Sequence, residues 1–427
     1  MRRLLGIGFV WFCCAAAWAI LGATLALRTQ GSQSDLGGDV RALWGPELDQ
    51  APPFATFTET HLERRTGRRT DSSGNAVTDT SDAEVTVTHP LPLVRSDLTA
   101  TLAMEQRRKG LLWFPTYGVT FEGGYAFRND TGQERVVDIL FPVEKGVTYD
   151  GFEVRGADGK PWEVTFVEEG ARLRRPVGAG AVEEFEVTYR ARGTSRWSYG
   201  KPGEGLGPEP GRARGFSLTV NADFADVDFP AGTLSPTTHR DAGRGYSGSW
   251  RFDQIVSTAI VGIELPQRLN PGPLASKITF FAPVSLLFFF FFLGMVLAAR
   301  RRSIHPVNYF LLGCAFFAFH LLFAYLIDHL EVASSFAIAS VASVVLVASY
   351  ARLFVGLRLA LTTFALPQLV YLVLFSFTFF FEGYTGLSIA VGAVVTLFVV
   401  MQLTGRLDWG EVLSRPSAAA ATSSTRI

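Results

Sequence analysis

The last third of the chain decides its fold through four apolar runs, the first of which, residues 307–327, reads VNYFLLGCAFFAFHLLFAYLI. The other three cover 332–351, 359–381 and 386–404, and none of the four contains Asp, Glu, Lys or Arg. A helix rises about 1.5 Å per residue, so each run can cross the roughly 30 Å hydrocarbon core of a bilayer. Because a soluble protein of this size cannot bury four such helices in series, the runs predict membrane-spanning helices.

Two further apolar runs, 4–27 and 278–299, raise the predicted number of spans to six. The first is expected to be an N-terminal anchor, and the other five a C-terminal helical bundle over 278–409, followed by a disordered cytoplasmic tail at 410–427. A small-residue cleavage site, Ala17-Trp18-Ala19, lies in the first run. The apolar stretch is longer than the roughly 7 to 15 residues usual in a signal peptide, so we expect it to be retained.

Arginine beside these runs predicts the topology, because Lys and Arg next to a span are retained in the cytoplasm. The arginines that flank the spans are Arg2, Arg3, Arg300, Arg301, Arg302, Arg352, Arg358 and Arg406, and the opposite junctions carry Asp328, His329, Glu331 and Glu382. Six spans with both termini in the cytoplasm satisfy every junction. This arrangement places residues 28–277 on the outer side of the membrane.

Charge and cysteine content narrow the function. Lys and Arg together number 39, as do Asp and Glu, so the net charge is zero and we expect no nucleic acid partner. The cysteines are Cys13, Cys14 and Cys314, all in predicted spans, so residues 28–277 are expected to hold no disulfide framework. That segment, at roughly 250 residues, is long enough to be stabilised by its own core.

Residues 84–265 change to short runs in which apolar and polar residues alternate, such as VVDIL at 136–140 and FEVTY at 185–189. Such alternation, with turn residues between the runs, predicts an antiparallel β-sandwich inserted between the anchor and the bundle. Asp158-Gly159 predicts a hairpin between 152–154 and 162–166.

Two polar stretches are predicted to be loops. Residues 64–82 hold several Gly, Ser and Asn residues, and 198–215 are rich in Gly and Pro, so the second loop could divide the domain into two lobes. Trp44 follows the first span and is expected either at the membrane interface or in a hydrophobic core.

The outer segment carries little that predicts chemistry. His61, His89 and His239 are scattered, without the spacing that places two ligands on one helical face. Asp223, Asp226 and Asp228 are clustered, which suits either Ca²⁺ or, as we favour, a solvated strand edge. We therefore predict no catalytic, cofactor-binding or metal-binding residue and no enzymatic activity.

Polar residues inside the spans are the other candidates for function. A transporter is expected to bury ionisable or polar groups along its pathway, and the span interiors offer His320, Gln368 and Gln402. For His320 we favour the alternative, a neutral histidine that is hydrogen-bonded to a neighbouring helix. Pro367 predicts a kink whose freed carbonyl could line a cavity.

Several motifs resemble those of the CreD family of bacterial inner membrane proteins. The sequence Ile304-His305-Pro306-Val307-Asn308-Tyr309 opens a span as the family's Ile-His-Pro-x-Gln-Tyr motif does. Further matches are Asp328-His329, Tyr350, Arg406-Leu407-Asp408-Trp409, Leu43-Trp44-Gly45-Pro46 and the segments 107–110 and 115–117. Asn308 stands where the family usually has Gln, and Asp328 where it has Glu.

The resemblance implies a multi-pass inner membrane protein with residues 28–277 in the periplasm and a non-enzymatic role in cell-envelope integrity or the response to envelope stress. Its expected partners are membrane lipids and another envelope protein. A transporter or lipid-handling channel is the alternative. We expect His305 and Pro306 to begin the third helix. Asp328 and His329 could pair with each other or with the outer domain; the alternative that we favour is that all these residues are helix-end and interface anchors.

Overall fold

The computed structural model describes residues 2–70, 76–110, 112–209, 211–268, 270–381 and 383–405. They form two compact units, a helical unit of Met1–Ser34 with Leu269–Ile427 and a β unit of Asp35–Arg268. The sequence placed the limits of the outer domain at 28 and 277, a few residues beyond those of the β unit.

Among the described residues, six helices are long and apolar enough to cross a membrane, in agreement with the six predicted spans. The helices are α1 (Arg2–Trp44), α2 (Pro271–Ala299), α3 (Pro306–Leu326), α4 (Val332–Val355), α5 (Leu357–Phe380) and α6 (Thr385–Thr404). Helix α1 is longer than the predicted span 4–27, because the polar residues that follow it continue the helix as far as Trp44.

Proline and glycine set several helix boundaries. Helix α3 begins at Pro306, whose missing N–H is not needed in the first turn, and His305 Nδ1 accepts a hydrogen bond from the Val307 N–H at 3.3 Å. Gly356 lies between α4 and α5 with φ +84°, and Gly383 precedes α6 with φ +80°. Side chains are strained at such angles, so these two turns favour glycine.

Helix α5 is irregular on both sides of Pro367. Wider π-helical turns at Ala360–Ala365 and Leu369–Leu374 flank the α-helical turn Leu366–Gln368. Proline has no N–H to donate to the preceding turn, and such local changes of helix type let neighbouring backbone groups find other partners. The structure therefore distorts α5 at Pro367, where the sequence predicted a kink.

Helix α1 packs within the bundle, whereas the sequence treated it as a separate anchor. Trp18 is fully buried, with its ring centroid 6.1 Å from that of Phe317 on α3. Trp11 Nε1 donates to the Pro283 carbonyl oxygen at 2.9 Å, and Ser276 Oγ donates to that of Gly22 at 3.2 Å, both joining α1 to α2. The apolar part of α1 is thus a sixth member of the bundle.

The described residues of the β unit form fifteen strands, which lie between α1 and α2 in the chain. The strands are β1 (Leu48–Gln50), β2 (Phe54–Thr70), β3 (Ala76–Leu91), β4 (Leu93–Lys109), β5 (Leu112–Arg128), β6 (Arg135–Pro142), β7 (Tyr149–Gly156), β8 (Thr165–Val167), β9 (Gly170–Val177), β10 (Val182–Thr194), β11 (Arg196–Tyr199), β12 (Arg212–Ala222), β13 (Thr238–Ala242), β14 (Gly245–Val256) and β15 (Val261–Glu264). The sheet orders are β13-β14-β12-β4-β5-β10-β7, β3-β2-β6-β9-β8 and β1-β11-β15. Most neighbours are antiparallel, as predicted, but β4 pairs with β12 and β1 with β11 in parallel.

Aromatic side chains join the two larger sheets. Phe141 on β6 lies 6.5 Å from Phe121 and 6.2 Å from Tyr125, both on β5, and 6.3 Å from Tyr189 on β10, between ring centroids. All four residues are at most 2% exposed. Burial of such side chains contributes roughly 1.5–3 kcal/mol each, so this contact is a main source of stability. Since one hydrophobic cluster runs through all three sheets, the described residues of the β unit share one core and are not divided into two lobes near 198–215.

The stretch 64–82 was predicted to be a loop, and this was wrong. Strands β2 and β3 continue through it and pair from Ala55 with Leu91 to Thr70 with Ala76, while residues 71–75 lie outside the described residues. Pairing of β2 with β6 over Phe54–Phe57 sets the register at the base of the hairpin. A two-stranded ribbon exposes both faces, so its polar sequence is compatible with strands.

The turn at Asp158-Gly159 is present, but the hairpin is only partly as predicted. The Gly159 N–H donates to the Gly156 carbonyl oxygen at 2.9 Å, and Gly159 has φ +75°. The returning chain makes a single bridge to β7 at Pro161 and then enters the five-stranded sheet as β8, paired with β9. Local turn chemistry therefore predicted the turn, whereas the partner of the next strand was decided by tertiary packing.

Candidate functional site

The motif at the start of α3 is a packing element. His305 is exposed and caps the helix, while Tyr309 is 4% exposed and meets Phe290 of α2 edge-on at 5.2 Å between ring centroids. Gly6 of α1 lies opposite Pro306, since a Cβ built on it would be 3.4 Å from that ring. These residues hold the beginning of α3 against α1 and α2.

Two motif residues that are distant in the sequence meet in the structure. The Tyr350 hydroxyl, near the end of α4, donates a hydrogen bond to Asn308 Oδ1 at 2.9 Å. The first turn of α3 is thereby tied to the end of α4. Asn308 has the same amide group as the Gln usual in the family, so this departure retains the acceptor.

Asp328 pairs with a residue that the sequence did not suggest. Its carboxylate lies 2.7 Å from the Arg28 guanidinium of α1, within the helical unit. His329 is exposed, and its backbone N–H donates to Leu326 at 2.9 Å. Within the helical unit, the partner observed for Asp328 is therefore Arg28 and not His329.

Some motif residues cannot be placed. Arg406, Asp408 and Trp409 lie outside the described residues, as does Glu382.

His320 is enclosed by aromatic rings in the bundle. It is 1% exposed, and its Nδ1 lies 2.9 Å from the carbonyl oxygen of Phe316, one turn earlier. Trp18 approaches its ring edge-on with 5.4 Å between centroids, and Phe319 does so at 4.9 Å. These contacts fit a packed histidine, but its hydrogen-bond partner is on its own helix α3 and not on a neighbouring helix as predicted.

Gln368 belongs to a hydrogen-bonded chain that links three helices. It is 0% exposed, and its Nε2 donates to Ser343 Oγ of α4 at 2.7 Å; Ser343 Oγ in turn donates to the Ala315 carbonyl oxygen of α3 at 2.7 Å. Gln402 is exposed near the end of α6, so it is not part of a buried polar site with His320 and Gln368.

A groove of about 390 Å³ lies between α2, α5 and α6. Its lining is mostly apolar and includes Pro367, Tyr371 and Gly392, beside the π-helical turns of α5. The Tyr371 hydroxyl donates to Thr396 Oγ1 at 2.9 Å, which joins α5 to α6.

A second groove, of about 500 Å³, lies on the β unit beside the end of α1, and we call it the Trp44 groove. Two rows of paired residues form much of its lining. Thr101 pairs with Thr120, which pairs with Arg190, and Ala103 pairs with Gly118, which pairs with Arg192. Leu43, Trp44, Thr148 and Asp150 also line it.

Cationic side chains border this groove. The guanidinium carbons of Arg107 and Arg192 lie 4.2 Å and 4.7 Å from the Trp44 ring centroid. Trp44 Nε1 donates to the Tyr117 carbonyl oxygen at 3.3 Å, which holds the indole in place. The sequence predicted that Trp44 lies either at the membrane interface or in a hydrophobic core. The structure shows its ring half-buried against these two arginines.

The tyrosine between two lining residues, Thr148 and Asp150, has a shifted pKa. Burial raises the pKa of Tyr149, which precedes Asp150 on β7, to about 12. Its hydroxyl also accepts a hydrogen bond from the Glu144 N–H at 2.9 Å.

The aspartates that suggested a metal have structural partners. Asp223 accepts a hydrogen bond from the Met104 N–H at 2.8 Å, and Asp228 accepts one from the Phe229 N–H at 2.8 Å. Among the described residues, no cluster of three His, Cys, Asp or Glu side chains is placed to hold a metal ion.

Comparison with known proteins supports the motif analysis. A family model described as inner membrane protein CreD matches residues 253–410, the region that contains α2 to α6. No curated protein matches the chain. One similar solved structure is that of a putative nutrient binding protein from Legionella pneumophila, which is 9% identical in sequence. The match covers 46% of this chain and 72% of that chain with a TM-score of 0.26, which is too low to support an argument. The family match confirms the resemblance drawn from the motifs: residues 253–410 are similar to the CreD family and, with its six apolar helices, the chain is an integral inner membrane protein.

Proposed function

We propose that this protein works without catalysis in cell-envelope integrity or the response to envelope stress, by presenting the β unit in the periplasm to a partner protein or a lipid. The observation that carries the proposal is the Trp44 groove. Its volume of about 500 Å³ lies within the roughly 300–1,000 Å³ of ligand sites, and its lining combines apolar, hydroxyl and cationic groups.

The distribution of arginine supports the proposed topology. Arg300, Arg301 and Arg302 follow α2, and Arg352 and Arg358 flank the junction of α4 and α5. Lys and Arg beside a span are usually retained in the cytoplasm, and this supports the proposal that both termini lie there and the β unit lies in the periplasm.

Burial in the bundle supports a scaffold rather than a conducting pathway. His320 and Gln368, the polar residues expected to face a pathway in a transporter, are 1% and 0% exposed. Gln368 also donates across helices to Ser343 of α4, and such bonds stabilise the association of membrane helices.

A lipid-handling protein is the second candidate. The groove between α2, α5 and α6 favours it, because the groove is mostly apolar and borders the π-helical turns around Pro367. Such turns in membrane helices are frequent at functional sites.

Site-specific photocrosslinking in intact cells would test the proposal. A photoreactive amino acid at Thr120, an exposed lining residue of the Trp44 groove, should capture a discrete protein or lipid. The same group at Lys160, which is also exposed but is not among the groove's lining residues, is the control and should not capture it.

Three results would decide between the candidates. Capture from Thr120 alone supports binding in the groove. Capture only from Ile389, which lines the groove of the bundle, supports the lipid-handling alternative. Identical products from Thr120 and Lys160, or none from either, contradict the proposed role of the Trp44 groove.

A further inference from the structure

Arg192 in the Trp44 groove is held in place while its hydrogen-bond donors remain available. Its guanidinium carbon lies 4.7 Å from the Trp44 ring centroid, and its side chain is exposed. A guanidinium that stacks on an aromatic ring uses its flat face, and its N–H groups point outward in the plane of the group. Arg192 can therefore bind an anion through two N–H groups while it stays against the indole.

The charge of Arg192 is not matched by a neighbouring carboxylate. Arg107, the other arginine on Trp44, lies 2.8 Å from Glu105, and Arg190 lies 2.8 Å from Asp150. Within the described part of the chain, Arg192 has no Asp or Glu oxygen within the 4.0 Å that defines an ion pair. The groove consequently has an excess of one positive charge at Arg192.

Hydroxyl groups in the lining add further donors. Thr101 and Thr120 are both exposed and are directly paired across β4 and β5, one row from Gly118 and Arg192. Directly paired residues have Cβ atoms about 4.5–5.5 Å apart, so both hydroxyls can reach one ligand. A phosphate group has three strong acceptor oxygens and suits an arginine fork together with hydroxyl donors.

The rest of the groove indicates what accompanies the anion. Its volume of about 500 Å³ is much larger than one phosphate group, and Leu43 on its border is 79% exposed. Two arginines lie against the Trp44 ring, so the ring is not free to stack on a sugar. These features fit a phosphate that is esterified to an organic group.

From these observations we propose that the Trp44 groove binds a phosphate ester, with Arg192 as the principal contact of the phosphate. The inference rests on the proposed function, since it names the class of ligand for the same groove. A phospholipid headgroup and a soluble phosphate ester share this chemistry.

Calorimetric binding to the full-length protein in a phosphate-free maltoside detergent would test the proposal. The probes are glycerol 3-phosphate, dioctanoyl phosphatidylglycerol, inorganic phosphate and, as a carboxylate of similar charge, octanoate. Arg192→Gln should weaken binding of a phosphate ester at least about tenfold, because it removes charge-assisted hydrogen bonds. Arg172→Gln, which removes an exposed arginine from β9 on another sheet, is the matched control and should change the Kd less than about threefold.

A second variant separates binding from folding. A Cβ at Gly118 would meet nothing within 4 Å, so Gly118→Val should be accommodated and should project into the groove. It should weaken binding of the same probe with no change in the unfolding temperature, which would identify the groove as the site even if Arg192→Gln were to unfold the protein.

Each outcome bears on the proposal. Tight binding of dioctanoyl phosphatidylglycerol but not glycerol 3-phosphate supports a lipid source, and the reverse supports a soluble one. The inference is overturned by no ester binding, by equal binding to wild type and Arg192→Gln, or by octanoate binding as tightly as the esters. If the group at Thr120 captures a protein without phosphate, the inference of a phosphate ester is overturned while the proposed function stands. If an ester binds but nothing is captured in cells, the proposed function is contradicted.

Discussion

Loss of the Ser343 hydroxyl should destabilise the bundle through two hydrogen bonds at once. Ser343 Oγ accepts from Gln368 Nε2 and donates to the Ala315 carbonyl oxygen, each at 2.7 Å. Hydrogen bonds between membrane helices contribute about 0.6 kcal/mol on average and up to about 1.7. Ser343→Ala is therefore expected to lower the free energy of unfolding by about 1 to 3 kcal/mol.

Gln368→Leu should cost much less. It removes only one of the two hydrogen bonds, and it also removes Gln368 Oε1, a buried oxygen that has no hydrogen-bond partner among the described residues. Leaving such an oxygen unpaired is itself unfavourable, so the net change should stay within about 1 kcal/mol. The two substitutions should show a coupling of about 0.6 to 1.7 kcal/mol in a double-mutant cycle.

Reversible unfolding of the full-length protein from a mild detergent into dodecyl sulfate would measure these changes. Ser340→Ala is the matched control, because Ser340 Oγ donates at 2.7 Å to Phe336 of its own helix and makes no such link to α5. Equal effects of Ser343→Ala and Ser340→Ala, or a coupling below about 0.3 kcal/mol, would refute the role of this chain in joining the helices.

Three further outcomes are expected. Asp328→Asn should lower the stability of the helical unit by no more than about 1 kcal/mol, since the ion pair of Asp328 with Arg28 is partly exposed. The same substitution should leave proteolysis of the β unit unchanged. Faster digestion of that unit would favour the hypothesis that Asp328 docks it. Asn129→Ala should lower the stability of the β unit by about 3 kcal/mol in chemical unfolding. The side chain is fully buried, the two N–H groups of its Nδ2 are shared among the Gln133, Val177 and Gly178 carbonyls, and its Oδ1 accepts from the Thr131 N–H and hydroxyl. Asp130→Ala, at an exposed neighbour, should change the stability little. Thermal unfolding should show stability falling as the pH rises from 10 toward 12. The pKa of Tyr149 is raised from 10.0 to about 12 in the folded protein, so the tyrosine of the unfolded chain ionises first. Tyr149→Phe should reduce this fall, and an unchanged pH profile would contradict the assignment to Tyr149.

The spans could be predicted because their cause is local. A soluble protein of this size cannot bury four long uncharged helices in series, so these runs predict spans. Proline is favoured in the first turn of a helix, where its missing N–H is not needed, so Pro306 predicts the start of α3. The strands and turns of the β unit were likewise predicted from alternation and turn residues. The prediction failed at 64–82, where polar residues suggested a loop although a two-stranded ribbon can accommodate them.

Contacts between distant residues could not be predicted. Arg28 and Asp328 are 300 positions apart, and Asn308 and Tyr350 are 42 apart, so their pairing depends on how the helices pack. Likewise, the parallel pairing of β4 with β12 brings together strands that have many residues between them.

The Trp44 groove was missed for the same reason. Its lining comes from α1, β4, β5, β7 and β10, and its chemistry depends on which rows of residues are adjacent. The sequence did contain one signal, since Thr101, Gly118 and Thr120 are small residues at outward positions of their strands. That signal has meaning only once the strand pairing is known.

Accessibility of a single cysteine would test the proposed topology most directly. All three natural cysteines lie in the helical unit, so replacing them with alanine and introducing Lys160→Cys places one thiol on an exposed side chain of the β unit. A maleimide that passes the outer but not the inner membrane should label this thiol in intact cells, and should label Arg358→Cys only after the inner membrane is opened. Labelling of Lys160→Cys only after the inner membrane is opened would contradict a periplasmic β unit.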